Sequence, residues 1–327
     1  MLRDVGTPVA SDDGDESGDE QFAGTNVTID ATMVPHLADG LDKDRRPPIG
    51  WNPTRRPPRH PVKPVPKRLL EDPSIDRSID PARWTLVSIR AADDLGHVRT
   101  SMNYSQSFGT SAGFFAKTHR TQFLDGPNEP AVADRLEMST TCLNFQMQPI
   151  DMTFRRDDGR LIHKYPDICI EFEDNSVRFG EIKSDETWFD APAIKRPLDR
   201  IDLALGSIGI PRLLRIKGMP YRQEDALAAH AIAMNARLTP VNPAEAAAVR
   251  AMITASGGCA RYADAVAVIG AVRADAVDKL YAMLMRRVVS FSLTREPHGA
   301  TPVTAPRPAE AFALRALLSK FVEKVAA

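Results

Sequence analysis

Tyr165-Pro166-Asp167-Ile168-Cys169-Ile170-Glu171-Phe172-Glu173-Asp174-Asn175-Ser176-Val177-Arg178-Phe179-Gly180-Glu181-Ile182-Lys183 is the stretch that decides the reading of this chain. Two apolar runs, Asp167 to Phe172 and Val177 to Lys183, flank the turn residues Asp174-Asn175-Ser176, which predicts a β-hairpin. With the loop centred on those three residues, Asp167 falls opposite Lys183 and Cys169 opposite Glu181. Side chains alternate faces along a strand, so Asp167, Glu181 and Lys183 emerge together at the open end of the hairpin. Ile168, Ile170 and Ile182 fill the other face. A slip of one residue would scatter the polar group, so the register carries the prediction.

Two carboxylates beside a lysine suit metal-assisted phosphodiester hydrolysis. Mg²⁺ or Mn²⁺ takes oxygen ligands, and Asp167 and Glu181 are the candidate pair. Such an ion polarises a phosphate and acidifies water. Lys183 is placed to orient or help deprotonate that water and to offset developing charge. Glu129, on a preceding helix, is a third candidate carboxylate, able either to ligate metal or to hold Lys183. The competing structural reading is a surface hairpin with a solvated Glu/Lys pair. An E-x-K triplet alone is common, whereas P-D followed after thirteen residues by E-x-K is much rarer.

Outward from the hairpin, Trp84 to Ile89 and Ile150 to Arg155 read as strands, and Asp157-Asp158-Gly159 as a turn. A Gly/Ser-rich patch carries Ser107, Gly109, Ser111 and Gly113. Glu129 to Leu136 reads as a helix opening, with Asn128 as cap and Pro130 in the first turn. Ile194 to Leu205 reads as helix and Arg212 to Ile216 as a short strand. Past Tyr221 the chain becomes alanine-rich, with helices predicted at Glu224 to Arg237, Pro243 to Ser256, Tyr262 to Ile269 and Ala274 to Arg287. Val288 to Leu293 alternates as a strand. That order is winged-helix-like. Arg273, Lys279, Arg286 and Arg287 on or beside the last of these helices suit DNA reading, while Asp275 and Asp278 equally suit a protein-docking surface. Ala309 to Val325 reads as a final amphipathic helix on Phe312, Leu314, Leu317, Leu318 and Phe321.

The chain has 327 residues, 43% of them hydrophobic, enough for a sizeable core and about two domains with tails. The formal net charge of −1 excludes a uniformly polybasic protein. It conceals an acidic segment, residues 1–20, with seven acids against Arg3. Residues 45–68 carry eight bases, eight prolines and no acid, which reads as an extended arm in which proline prevents helix. The arm suits a solvated spacer, or a contact to DNA phosphates or to an acidic partner. No apolar run is long enough to cross a membrane and no secretory leader is readable. Cys142, Cys169 and Cys259 are scattered, which suits a reducing, cytoplasmic setting rather than a disulfide framework or zinc site. The seven histidines form no metal-binding spacing, and no phosphate-binding loop motif is present. Trp51, Trp84 and Trp188 suit packing more than base stacking.

At these residues the chain resembles the PD-(D/E)xK nuclease superfamily and, more narrowly, the TnsA-like endonuclease subunits of heteromeric Tn7-like transposases. The order carries the narrower resemblance: Gly113-Phe114-Phe115-Ala116-Lys117, then Glu129 with Leu136 and Glu137, Gln148-Pro149-Ile150, Tyr165-Pro166-Asp167, Glu181-Ile182-Lys183, Val289-Ser290-Phe291-Ser292-Leu293 and Thr301-Pro302-Val303. It covers about residues 100–304. The Glu129 helix lacks the second acid of that family's motif. The resemblance implies an α/β restriction-endonuclease-like mixed sheet flanked by helices over residues 81–221. A helical winged-helix-like domain over 222–304 and an amphipathic helix over 305–327 follow it, and an arm over 1–80 precedes it. It implies that Glu129, Asp167, Glu181 and Lys183 are catalytic, with Mg²⁺ or Mn²⁺ held by the three carboxylates. It further implies 5′-strand cleavage at transposon ends, with a DDE transposase and an AAA ATPase regulator as partners. The rival expectations are a stand-alone restriction or repair nuclease, and a catalytically silent adaptor that docks transposase and ATPase.

Overall fold

The computed structural model describes residues 64–75, 80–99, 109–270 and 272–322. The acidic segment, most of the proline-rich arm with Trp51, Ser107 of the Gly/Ser patch and the end of the C-terminal helix lie outside the described residues. All described residues belong to one compact unit, Arg59–Ala327.

The arm's described end departs from expectation. Lys67–Leu70 forms a single helical turn, α1, directly after Pro66. Proline blocks a helix from within but is tolerated at its start. Asp72 just beyond it pairs with Arg196 (Nε–Oδ1 2.6 Å), so this piece is fastened to the folded body.

Strand β1, Thr85–Ala91, is followed by a two-stranded ribbon of β2, Thr110–Phe115, and β3, Arg120–Asp125. The ribbon was not legible in a Gly/Ser-rich patch. Its buried face uses Phe115, Leu124 and the uncharged polar Gln122, which gives little hydrophobic alternation. Helix α2 spans Asn128–Met138. Then come β4, Cys142–Met147, β5, Ile150–Arg155, β6, Leu161–Lys164, β7, Ile168–Phe172, and β8, Val177–Lys183. Helices α3, Glu186–Asp190, and α4, Pro192–Ser207, lead to β9, Leu214–Lys217.

Two sheets result. One has the order β1-β5-β6 and is antiparallel; the other has the order β4-β7-β8-β9, with β8 and β9 parallel. β7 is buried on both faces, as expected of a central strand. Ile168 and Ile170 enter a cluster with Val132, Ala133, Phe145, Met147 and Ile182 on the α2 side. Cys169 and Phe179 enter another with Trp84, Met152, Phe154 and the apolar stripe of α4, Leu198, Ile201, Ala204 and Leu205. The mixed α/β class expected from the sequence is therefore present.

The alanine-rich part folds as α5, Glu224–Ala236, α6, Pro243–Ala255, β10, Cys259–Arg261, α7, Tyr262–Ile269, α8, Arg273–Met285, and β11, Pro302–Thr304. Asn242 and Glu245 form a reciprocal capping box around Pro243, so α6 begins where its sequence says. Its core includes Met138 of α2, so the helical part packs on the helix that carries Glu129. The expected strand at Val288 to Leu293 is absent. Val289, Phe291 and Leu293 are buried alternately, but only Ser290 makes a bridge, to Thr304. The alternation marks an extended buried segment without a sheet partner along its length. The last helix, α9, is Ala313–Leu318, with one 3-10 turn at Ser319–Phe321, shorter than expected. Leu314 and Leu318 are buried while Phe312 is exposed. Among the described residues no helix is long and apolar enough to cross a membrane. Cys142, Cys169 and Cys259 are free thiols.

Candidate active site

The β7–β8 hairpin closes one residue earlier than expected. Asn175 adopts a left-handed conformation (φ 62°), and Phe172 and Ser176 face each other across Glu173-Asp174-Asn175. Moving the loop centre by one residue moves the register by two: Ile168 pairs with Gly180 and Cys169 with Phe179. Asp167 is then level with Glu181 rather than Lys183. An even shift preserves the faces, so Asp167, Glu181 and Lys183 still share one. Gly180 belongs to the tight packing behind them. A Cβ there would come within 2.9 Å of Ile216 and 3.0 Å of Ile168.

The three polar side chains meet. Lys183 Nζ donates to Glu181 Oε1 at 2.5 Å, to the Ile182 carbonyl at 3.1 Å and to Asp167 Oδ2 at 3.5 Å. Asp167 Oδ2 also accepts the Ile182 amide at 2.6 Å. All three side chains are largely buried, at 23%, 13% and 18% exposure for Lys183, Glu181 and Asp167. Burial, reinforced by the Glu181 charge, pushes the Asp167 carboxyl well above the usual carboxylate range. Burial pulls Lys183 down, but Asp167 and Glu181 outweigh it and hold the ammonium protonated.

Glu129 stands in the first turn of α2 and is buried. Its proton affinity is raised by burial first and then by the Asp167 charge, which places it in the same electrostatic cluster. Its Oε2 accepts the Asp125 amide at 2.8 Å. Asn128 is not the helix cap expected: its side chain donates to Ser184 Oγ at 3.1 Å and accepts from Arg222 at 3.2 Å. Those bonds tie the start of α2 to the end of β8 and so set Glu129 beside Lys183.

Four residues of the surroundings were not among the candidate site residues. Gln148 has φ 45°, donates its amide to the Asp167 carbonyl at 2.9 Å and its side chain to Asp125 Oδ2 at 3.1 Å. Arg99 pairs with the same Asp125 oxygen at 3.0 Å. These contacts couple Asp125, at the end of β3 before Glu129, to the backbone of Asp167, just before β7. The fourth is Lys164, whose ammonium lies 5.4 Å from the centroid of the Trp84 ring. Only Gln148 left a trace in sequence, through the proline after it, which restricts its backbone.

The donor set suits a hard cation in part. Asp167 and Glu181 offer carboxylate oxygens side by side. Among the described residues, however, no three His, Cys, Asp or Glu side chains are grouped as metal ligands. Glu129 is turned to the Asp125 amide, so the expected triple of Asp167, Glu181 and Glu129 is present as a pair with a neighbour.

Of the bases of the expected recognition helix, Lys279, Arg286 and Arg287 are engaged internally. Lys279 bridges Glu245 (2.8 Å) and Asp275 (3.0 Å), and Arg286 donates to the Thr239 carbonyl at 2.8 Å. Arg287 donates to the carbonyls of Thr140 (2.8 Å), Arg307 (3.0 Å) and Ala309 (3.4 Å). Comparison with protein-family models and with curated proteins found no match for the chain.

Proposed function

We propose that the chain is the DNA-cleaving subunit of a heteromeric transposase, a divalent-metal-dependent endonuclease acting on the 5′ strands at transposon ends. The observation that carries this reading is the convergence of Asp167, Glu181 and Lys183 at the open end of one buried hairpin, with Glu129 beside them. In this reading the β4-β7-β8-β9 sheet with α2 and α4 is a restriction-endonuclease-like core, and α6 to β11 is a winged-helix-like adaptor. Mg²⁺ or Mn²⁺, when bound, supplies Lewis-acid polarisation of the scissile phosphate. Asp167 and Glu181 are the residues to hold it, with Glu129 balancing charge at the edge. Lys183, kept protonated by the two carboxylates, acts through its charge: it orients the attacking water at Nζ and steadies the charge developing on phosphate. That makes it a poor general base.

The partners are those the resemblance implies, and the charge distribution suits them. Residues 81–220 hold 18 Lys+Arg against 19 Asp+Glu, so DNA affinity from this part is modest. The internal pairing of Lys279, Arg286 and Arg287 favours a protein-docking role for the helical part. A DDE transposase that brings the DNA and an AAA ATPase regulator fit that role, in a cytoplasmic setting. The test is a reconstituted reaction on end DNA with the transposase present. The 5′ nick is expected to vanish with EDTA and in Asp167→Ala, and undiminished cutting by that variant would overturn the assignment. One observation favours a second reading, a silent adaptor: Lys183 is satisfied by the site's own carboxylates. Transposition unaffected by Lys183→Ala would select it.

A further inference from the structure

Lys164 ends β6, three residues before Asp167. It shares a strand face with Ile162, which packs against the cluster containing Trp84 and Phe179. Cys169 and Phe179 of that cluster lie on the hairpin face from which Asp167 and Glu181 also emerge. The Lys164 side chain therefore runs along the Trp84 ring toward the catalytic end of the hairpin. Glu181 and Lys183 are the two charged groups that act on it. Among the described residues no carboxylate forms an ion pair with it, and its ammonium stands over the Trp84 ring, 5.4 Å from the centroid.

The charge balance gives this position a use. Lys183 is committed to Glu181 and Asp167 at 2.5 and 3.5 Å. Committed to the Asp167–Glu181 pair, Lys183 has little charge left for a phosphodiester beyond what a divalent ion on those carboxylates would supply. A second cation nearby, half-buried and confined by an aromatic face, adds to that charge and is screened less than a fully solvated lysine. Lysine binds phosphate as a point charge and needs no second donor.

We propose that Lys164 is a substrate-binding residue of this site, its ammonium taking a non-bridging oxygen of a DNA phosphate beside the Asp167–Glu181 pair. The proposal rests on the nuclease reading. Its rival is a lysine whose stem merely covers Trp84 while its head reaches water.

Full-length wild type, Lys164→Met and Lys164→Arg are compared by fluorescence anisotropy on a short labelled DNA duplex. Ca²⁺ replaces Mg²⁺, and the salt concentration is varied. One lost phosphate contact lowers the slope of log K against log salt by about 0.9. Lys164→Met is expected to show that loss and Lys164→Arg to keep the wild-type slope. Lys164→Gln gives the same readout if the Met variant melts early. A wild-type slope and affinity in the charge-removing variant would overturn the proposal while leaving the nuclease reading intact. A folded wild type with no salt-dependent DNA binding would also overturn the proposal, whereas the nuclease reading stands or falls on the reconstituted nicking reaction.

Discussion

Arg287 separates a DNA-reading role from a structural one, because the two predict opposite outcomes for its removal. It follows α8 at φ 55°, with its amide on the Leu284 carbonyl and the next amide, Val288, on Met283. This is the two-bond helix stop in which glycine is the usual residue. A side chain there costs about 1–2 kcal/mol, and Arg287 offsets it by joining three segments. It bonds Thr140 and Arg307 at 2.8 and 3.0 Å, and its Nη2 lies 3.6 Å from Glu173, with only 17% of the side chain exposed. Hydrogen bonds from a charged group contribute about 1.5–3 kcal/mol each. Two good ones, less the rehydration of the freed carbonyls, put Arg287→Ala at about 3 kcal/mol of destabilisation. That corresponds to roughly 6–12 °C in Tm. Arg287→Gly loses the same bonds but relieves the backbone, so it should be about 1 kcal/mol milder. Thermal and urea unfolding of both variants, with DNA affinity measured alongside, is the assay. Unchanged stability together with weakened DNA binding would refute the structural account and restore the recognition-helix reading.

Lys183→Ala should lower single-turnover nicking by about 10²-fold or more, the loss typical of removing one group that stabilises transition-state charge. The salt slope of DNA binding should stay at the wild-type value, because its charge is already neutralised within the site; a lower slope would make it a phosphate ligand instead. His230 of α5 is buried, and burial, aided by the Arg135 charge, holds its pKa down at about 4 against an ordinary 6.5. Between those values the unfolded chain binds the extra proton, so stability falls as pH falls, by up to about 1.4 kcal/mol per pH unit. His230→Leu should flatten that limb in urea midpoints taken from pH 7 to pH 4.5, and an unchanged limb would mean that His230 takes up its proton as readily in the folded state as in the unfolded one.

The local patterns of this chain reach far. Ile150–Arg155, Val177–Lys183 and Tyr262–Ile269 fold over the spans their alternation or helical period indicates, and Asn242 starts α6 through its own side chain. The candidate triad was legible for the same reason. Asp167, Glu181 and Lys183 belong to one hairpin, where face is fixed by parity, and a two-residue error in register left them together. The contacts between residues distant in sequence were not legible. Glu129 was a candidate from its helix, but the bonds that set it by the hairpin, from Asn128 to Ser184 and Arg222, were not. Lys164 is aimed by Trp84, which lies eighty residues before it. Val288 to Leu293 has a strand's alternation, but among the described residues no second strand runs along it, and Arg287 has a DNA-binding residue's charge but three internal carbonyls to satisfy. Periodicity encodes which face a side chain takes. Which neighbour covers that face, and whether a charge remains free for a ligand, depends on the packing of segments that only the tertiary structure brings together.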